Sequence, residues 1–434
     1  MINRLDTASR DFDDALERLI RWDDPSRREA EESVAAVLRD VRERGDAALL
    51  DYTARFDGVA APAVDALRID AGMLSDCRQR LPEPQAEALV TAARRIRRYH
   101  ELQLRQGGAF EYEDGLGNRL GQRLMPLDRV GVYVPGGQAA YPSTVLMTVI
   151  PARVAGVREV AVTVPAPNGE RNEHVLAALD IAGVDEVFAI GGAQAIAALA
   201  FGTETVARVD KIVGPGGAHV AAAKRQVFGP VGIDSIAGPS EVLIVADGSV
   251  PVHWTVLDMF SQSEHDAAAQ ALLLCPDAGY LDAVAHRMEA ALPEMARARI
   301  IGASLGARGA LIRTRDLDEA VAIANRVAPE HLQLAVADPE ALLPRVRNAG
   351  AIFLGGYSAE VFGDYSAGPS HVLPTFGTAR YASPLGVADF LRRSSVIRIG
   401  RRGVPELART AATIAEVEGL GAHALAALAR LDES

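Results

Sequence analysis

The chain has 434 residues, too many for one ordinary core, so two or more domains are expected. A hydrophobic share of 49% with 24% charged residues is a globular balance and excludes a disordered chain. The net charge of −12 argues against nucleic acid or an anionic membrane as main partner, because both demand compensating Lys and Arg.

Residues 1–22 read as a short amphipathic helix. A stronger helix follows, with Val34, Val37, Leu38 and Val41 at the i, i+3, i+4, i+7 spacing. Helices over 47–55 and 85–104 make the opening third mostly helical. The basic run Arg94, Arg95, Arg97 and Arg98, beside Tyr99, reads as a solvated helix face. Near Arg129 the pattern changes to apolar strands alternating with helices. The strands are RVGVYV, EVAVTV, EVFAI and VDKIV; helices are expected near Thr144–Ala155, over 171–182, and in AQAIAALAFG and AHVAAAKRQVF. A second such series begins after Gly238, with strands SEVLIVAD, QALLLC, ALIRT, LQLAV and AIFLGG. Its helices fall at 252–265, 279–296, 317–327 and 339–347. Such alternation implies right-handed crossovers and parallel sheets, and the wholly apolar strands imply sheets covered on both faces. The tail from about Pro384 holds a strand-like VIRIG, a helix over 404–418 and a last short helix after a Gly419/Gly421 break.

The expected class is therefore α/β, with two Rossmann-like parallel-sheet domains and small N-terminal helical and C-terminal extensions. We divide the chain into 1–22, 23–130 plus 238–380, 131–237 and 381–434. Ligands in such folds sit beyond the carboxyl ends of the strands. Gly136-Gly137, Gly191-Gly192 and Gly214-Pro215-Gly216-Gly217 all follow strands, but G-x-G-x-x-G with an acidic residue about 20 positions on is absent. From spacing alone these loops fit either a nucleotide site or turns that only start helices.

Nothing marks the chain for export. Its N-terminus is charged throughout, and no segment approaches the ~20 apolar residues of a membrane span, so a cytoplasmic location is expected. Two distant cysteines, Cys77 and Cys275, make no disulfide framework and suit a reducing compartment. Cys77 sits in an exposed-looking helical stretch and Cys275 ends an apolar strand; both read as structural.

Four short segments carry side chains suited to chemistry. Gln262 and His265 are three apart, which on a helix puts an amide and an imidazole on one face; Gln is an uncommon metal ligand, so the pair alone is a poor signal. Glu330 and His331 follow a helix-ending Pro329 and precede a strand. They suit general acid–base work, although locally a Glu that caps or faces water is the simpler account. Asp364 and His371 lie in a long polar, Gly-rich stretch, and loops of that length are uncommon unless functional. Glu418 and His423 flank the C-terminal glycine break and alone would read as a helix end and a cap. Together two histidines, a carboxylate and an amide make a mixed N/O donor set that suits Zn, Mn or Co, without the thiolates of structural zinc.

The segments VGVYVPGG, GGAQAIAALAFGT, KIVGPGG, AGPSEVLIVAD, SQSEHD, APEHLQL, NAGAIFLG, GDYSAGPSHVLPT and EVEGLGAH occur in this order. The ordered set resembles the motif series of the histidinol dehydrogenase family, from roughly residue 30 to 425. The resemblance implies a zinc ion held by Gln262, His265, Asp364 and His423, and an acid–base pair of Glu330 and His331. It implies L-histidinol as substrate, contacted by Ser240, Gln262, His265, His331, Asp364, His371, Glu418 and His423. It implies NAD+ held near Tyr133, Gln194 and Gly217. It further implies an intertwined homodimer with shared active sites, Glu418 and His423 acting in the partner's site. One departure stands out. The family usually has Asn after Gly-Pro-Gly, where this chain has Gly217, and an aromatic residue where it has His219. The missing side-chain hydrogen bond is worth about 0.5–1.5 kcal/mol, which implies weaker or differently held NAD+. Besides the family's own reaction, this leaves room for a paralogous zinc- and NAD-dependent dehydrogenase of another polar alcohol. A metal hydrolase using the same donors, or a silent binder, remain as other classes.

Overall fold

The computed structural model describes residues 2–21, 26–136 and 141–431, so Gly137 lies outside the described residues. Residues 1–22 do not form one helix. They open on strand β1 (Asn3–Asp6) before a helix at Phe12–Ile20. Asn3–Asp6 pairs in parallel with residues 310–313, and that long-range partner is invisible to local periodicity. The helices Ser26–Arg44, Asp46–Asp57 and Glu83–Arg105 follow. Next come β2 (Phe110–Glu113) and β3 (Arg119–Pro126), an antiparallel hairpin the sequence reading missed because β2 is exposed throughout and β3 has no buried face.

Five strands then build the first parallel sheet: β4 (Arg129–Tyr133), β5 (Glu159–Thr163), β6 (Glu186–Phe188), β7 (Lys211–Val213) and β8 (Gly232–Ile233). Their spatial order is β6-β5-β4-β7-β8, so the winding reverses between β4 and β7. The second parallel sheet uses β9 (Glu241–Ala246), β10 (Gln270–Cys275), β11 (Ala310–Arg313), β12 (His331–Ala335) and β13 (Ala351–Leu354). With β1 at its edge the order is β1-β11-β10-β9-β12-β13. β14 (Leu391–Arg398) does not join it but pairs antiparallel with β3, from Leu391 opposite Pro126 to Arg398 opposite Arg119. The α/β class with two parallel sheets is thus as expected.

The central strands are buried along their whole length, because helices cover both faces. Helix ends follow the side-chain chemistry. Asp277, Asp316 and Asn172 accept hydrogen bonds from first-turn N–H groups, and Gly156 and Gly183 stop helices in the left-handed region. The packing of the opening helices differs from our division. Val34, Val37, Leu38, Val41 and Leu49 pack with Ala161, Phe188 and Ile196, against the β4–β8 sheet rather than the β9–β13 sheet. Amphipathic periodicity marks a face for burial but not the sheet that buries it. Cys77 is buried, not exposed, and packs against the other face of that sheet. No helix among the described residues is long and apolar enough to cross a membrane.

At the winding reversal a buried ion pair holds the chain. Asp234, just after β8, meets the Lys224 ammonium, both nearly inaccessible to water. Asp234 also accepts the Gly214 N–H (2.7 Å), and Lys224 donates to the Gly214 carbonyl (2.8 Å). Gly214 takes a φ of +111°, and any Cβ there would collide with the Tyr133 carbonyl oxygen. The first residue of the Gly-Pro-Gly-Gly turn is therefore pinned at both backbone groups. We expect Asp234→Ala to strand a buried ammonium and to cost about 3–5 kcal/mol in urea denaturation. The double variant with Lys224→Met should recover much of that loss.

Candidate active site

The site forms at the amino edge of the second sheet, not at the carboxyl ends of its strands. Glu241 opens β9 and His331 opens β12. Because His331 lies opposite Val242 in the register, Glu330 lies opposite Glu241. The two carboxylates brace each other's backbone. Glu330 Oε2 accepts the Glu241 N–H (2.9 Å), and Glu241 Oε2 accepts the Glu330 N–H (3.3 Å). Glu241 Oε1 also accepts the Phe376 N–H at 2.7 Å. Two non-glycine residues flank this brace in the left-handed region, Ala328 (φ +53°) and Phe376 (φ +57°). Backbone strain of that kind costs about 1–3 kcal/mol and persists where surrounding contacts enforce it. Glu330 is buried and does not face water, contrary to the simpler local account.

His331 is buried as well, and its ring is surrounded by oxygen. Nδ1 lies 3.0 Å from the Glu241 carbonyl, which fixes the proton on that nitrogen, and 3.6 Å from Glu330 Oε2. Nε2 lies 3.5 Å from Asp364 Oδ1. Burial opposes charge on the ring, but Glu330, Glu360 and Asp364 outweigh it and hold the imidazole well above its ordinary value. Burial pushes Glu330 up to about 8, Glu360 up to about 8 and Glu241 up to about 7. Asp364 goes the other way: burial would raise it, and the His331 contact and charge, with those of His371 and His265, hold it low.

The polar 355–373 stretch is not all loop. It contains a helix at Glu360–Tyr365, which puts Glu360 and Asp364 one turn apart. Sequence reading passed over Glu360. The signal was the i, i+4 carboxylate pair, hidden because no apolar periodicity announced a helix. Potential ligand atoms of His331, Glu360 and Asp364 lie within 4.8 Å of one another. Gln262 occupies the last turn of the helix Val252–Ser263, and His265 lies in the turn just past it, so the pair share a corner rather than a helix face. The Gln262 amide nitrogen is 3.5 Å from His331 Nδ1. Its oxygen is buried with no hydrogen-bond partner among the described residues. Burial keeps the His265 and His371 imidazoles below their ordinary values, thus neutral, while both feel the Asp364 charge. An orphaned amide oxygen, a neutral imidazole and a depressed carboxylate are the donors a zinc ion accepts, so Gln262, His265 and Asp364 fit such an ion.

His371 links the two sheets. Its Nδ1 faces the Asp364 carbonyl (3.0 Å) and its Nε2 the Thr144 hydroxyl (3.1 Å). Thr144 belongs to the helix Pro142–Ala155 that follows β4. The amino edge of one sheet therefore meets the carboxyl edge of the other. Ser240 precedes β9 directly, beside Glu241. On the β4–β8 side, the Tyr133 hydroxyl accepts the Gly192 N–H at 3.2 Å. Gln194 is fully buried, and neither end of its amide has a partner among the described residues. Gly217 caps the helix Ala218–Val227 with open space where a side chain would point. Glu418 and His423 stand apart. They are exposed, at the junction of the helices Val404–Val417 and Gly421–Leu428, which pack on each other.

Two sheets meeting edge to edge, with a buried imidazole–carboxylate couple and a Gly-rich carboxyl edge opposite, define an α/β enzyme equipped for proton transfer. The histidinol dehydrogenase family profile matches residues 21–431. A histidinol dehydrogenase of Pseudomonas aeruginosa is 55% identical over 433 residues, spanning 100% of this chain and 98% of that protein. One from Pseudomonas putida is 54% identical over 430 residues, 99% of this chain and 97% of that protein. The crystal structure of histidinol dehydrogenase from Elizabethkingia anophelis superposes with a TM-score of 0.92 at 30% identity, covering 100% of this chain and 98% of that one. The chain belongs to the histidinol dehydrogenase family and is, with it, an oxidoreductase.

The raised carboxyls set a pH dependence. Below the ordinary value of 4.5, Glu241 is protonated folded or unfolded and costs nothing. Between 4.5 and about 7 the unfolded chain releases a proton that the fold retains, so stability falls as pH rises, by roughly 3 kcal/mol from this group. Glu330 adds in the same sense up to about 8. Urea denaturation with a chelator present should show this decline, and Glu241→Gln should make it shallower.

Proposed function

We propose that the chain oxidises L-histidinol through L-histidinal to L-histidine with two NAD+, the closing steps of histidine biosynthesis. The observation that carries this is the meeting of the two edges: His331 on one, the loops after β4, β6 and β7 on the other. A hydride acceptor lying along the second edge would face an alcohol held beside the imidazole. In the first half-reaction His331 takes the hydroxyl proton while hydride leaves the carbinol carbon for NAD+. The Glu241 carbonyl holds the Nδ1 proton and leaves Nε2 as the accepting atom, with Asp364 beside it to steady the charge that develops. In the second, the ionised form of Glu330 removes a proton from water as its oxygen attacks the aldehyde, and the proton that His331 took from the alcohol passes to the aldehyde oxygen, giving the hydrate. The hydrate then loses hydride to a second NAD+ and a hydroxyl proton to His331. A cysteine thioester route has no support, since Cys275 is buried and pushed up to about 11, and Cys77 is buried and raised.

Zinc held by Gln262, His265, Asp364 and His423 of the partner subunit would anchor the substrate's amine and imidazole nitrogens and so align the alcohol. Ser240, His371 and the partner subunit's Glu418 complete the substrate contacts in this reading, and Tyr133, Gln194 and the Gly217 turn the cofactor contacts. A shared site is supported by the exposed apolar side chains beside Glu418 and His423, namely Ile414, Val417, Leu420 and Leu425. One chain leaves these uncovered, as an intertwined homodimer would not. The site lies in a protein of acidic charge with no membrane-crossing helix among its described residues, which fits a cytoplasmic enzyme.

The deciding experiment follows the absorbance of reduced NAD with L-histidinol, with and without chelator. Reduction that disappears on chelation supports the proposal. No reduction with L-histidinol but turnover of another polar alcohol would point to a paralogous dehydrogenase. His331→Gln should lower turnover about 10²–10⁴-fold while metal analysis still finds zinc bound. Glu330→Gln should impair aldehyde oxidation far more than aldehyde reduction; equal loss would remove its role in water activation. His331→Ala and His423→Ala proteins, each inactive, should regain partial activity once mixed and allowed to exchange subunits.

A further inference from the structure

The β4–β8 sheet lacks the carboxylate that dinucleotide-binding sheets place at the end of their second strand, where it hydrogen-bonds the adenosine ribose. Here that strand is β5, and it runs out as Thr163-Val164-Pro165. A carboxylate nevertheless stands at this corner. Gly191 approaches Pro165 so closely that a Cβ would lie 2.8 Å from the Pro165 ring. The same point is 3.2 Å from Asp57 Oδ1, at the last residue of the helix Asp46–Asp57. Asp57 Oδ2 accepts the Gly191 N–H at 3.3 Å. The side chain is half-buried, and burial raises its carboxyl from the ordinary value.

The helix Gly192–Phe201 begins here, and helix N-termini ordinarily attract phosphate. Both leading N–H groups are taken, Gly191 by Asp57 and Gly192 by the Tyr133 hydroxyl. A negative charge already sits on the dipole, so a phosphate would meet repulsion there. Beside it lies Gln194, buried, its amide without a partner among the described residues and its oxygen 2.6 Å from where a Gly192 Cβ would be. This corner offers a carboxylate and an amide, which suits hydroxyl groups.

We propose that Asp57, reaching in from the N-terminal helices, reads the ribose diol of the adenosine half of NAD and excludes the 2′-phosphorylated dinucleotide. The proposal rests on the reading of the β4–β8 sheet as the cofactor side. The test titrates the full-length protein with NADH and with NADPH by fluorescence, for wild type, Asp57→Asn and Asp57→Ser. Asn still accepts the Gly191 N–H, so a purely structural role would leave the preference between the two dinucleotides unchanged. We expect wild type to bind NADH at least about tenfold tighter, and Asp57→Asn and Asp57→Ser to shrink that ratio about tenfold as like-charge repulsion is removed. An unchanged ratio in both variants, or equal binding of the two dinucleotides by wild type, overturns the role of Asp57 alone. Wild type binding neither would overturn the cofactor reading itself, and this proposal with it.

Discussion

An imidazole that takes up a proton cannot be buried without compensation, and His331 is the place where this chain meets that demand. Its ring is enclosed by the Glu241 carbonyl, Glu330, Asp364 and the Glu360 carboxyl. Those oxygens come from β9, the turn before β12 and the helix Glu360–Tyr365. Removing any of them would leave a protonated ring under-compensated out of water. The carboxyls that retain protons and the one that does not are thus parts of one charge balance. Ala328 and Phe376, both in strained conformations, hold two corners of it. The fold accepts strain and buried charge together at one edge of one sheet, and nowhere else do the described residues combine them.

The two sheets divide the work. The second sheet carries proton-handling groups on its amino edge, while the first presents glycines on its carboxyl edge. The His371 ring, bonded to Thr144 on one side and to the Asp364 carbonyl on the other, keeps those edges in register. Chemistry at such a seam depends on two scaffolds being rigid separately and joined at few points. The antiparallel β14–β3 pairing is a second joint, clasping the C-terminal tail to the hairpin before the first sheet.

Much of the fold could be read from the chain. Apolar runs such as EVLIVA and QALLLC declare buried parallel strands, because only helices on both faces permit them. What could not be read was partnership. Asn3–Asp6 is a strand only because residues 310–313 lie beside it, and the opening helices show an apolar face without naming the sheet they cover. The site was legible in part. Glu330 Oε2, the Gln262 amide nitrogen and Asp364 Oδ1 lie 3.5–3.6 Å from the His331 ring, and His371 meets the Asp364 carbonyl. Local rules alone pointed elsewhere for Glu330, since a carboxylate after a proline turn ordinarily faces solvent. Glu241 and Glu360 went unnoticed for a physical reason: one looks like the first residue of a strand, the other like part of a loop. Their significance lies in register and in a six-residue helix, which only three dimensions display.

The absence of one methyl group at residue 214 has a reach beyond its own turn. β4 and β7 part company there, and in the cofactor site we propose a nucleotide lying across the top of the sheet would rest on the bare main chain of both. The floor of such a site would be peptide rather than side chain at this point, its depth set by how closely two backbones can approach. Substitution cannot tune such a floor gradually. Evolution can alter the walls, as at residue 217, but the base admits only glycine or a different sheet.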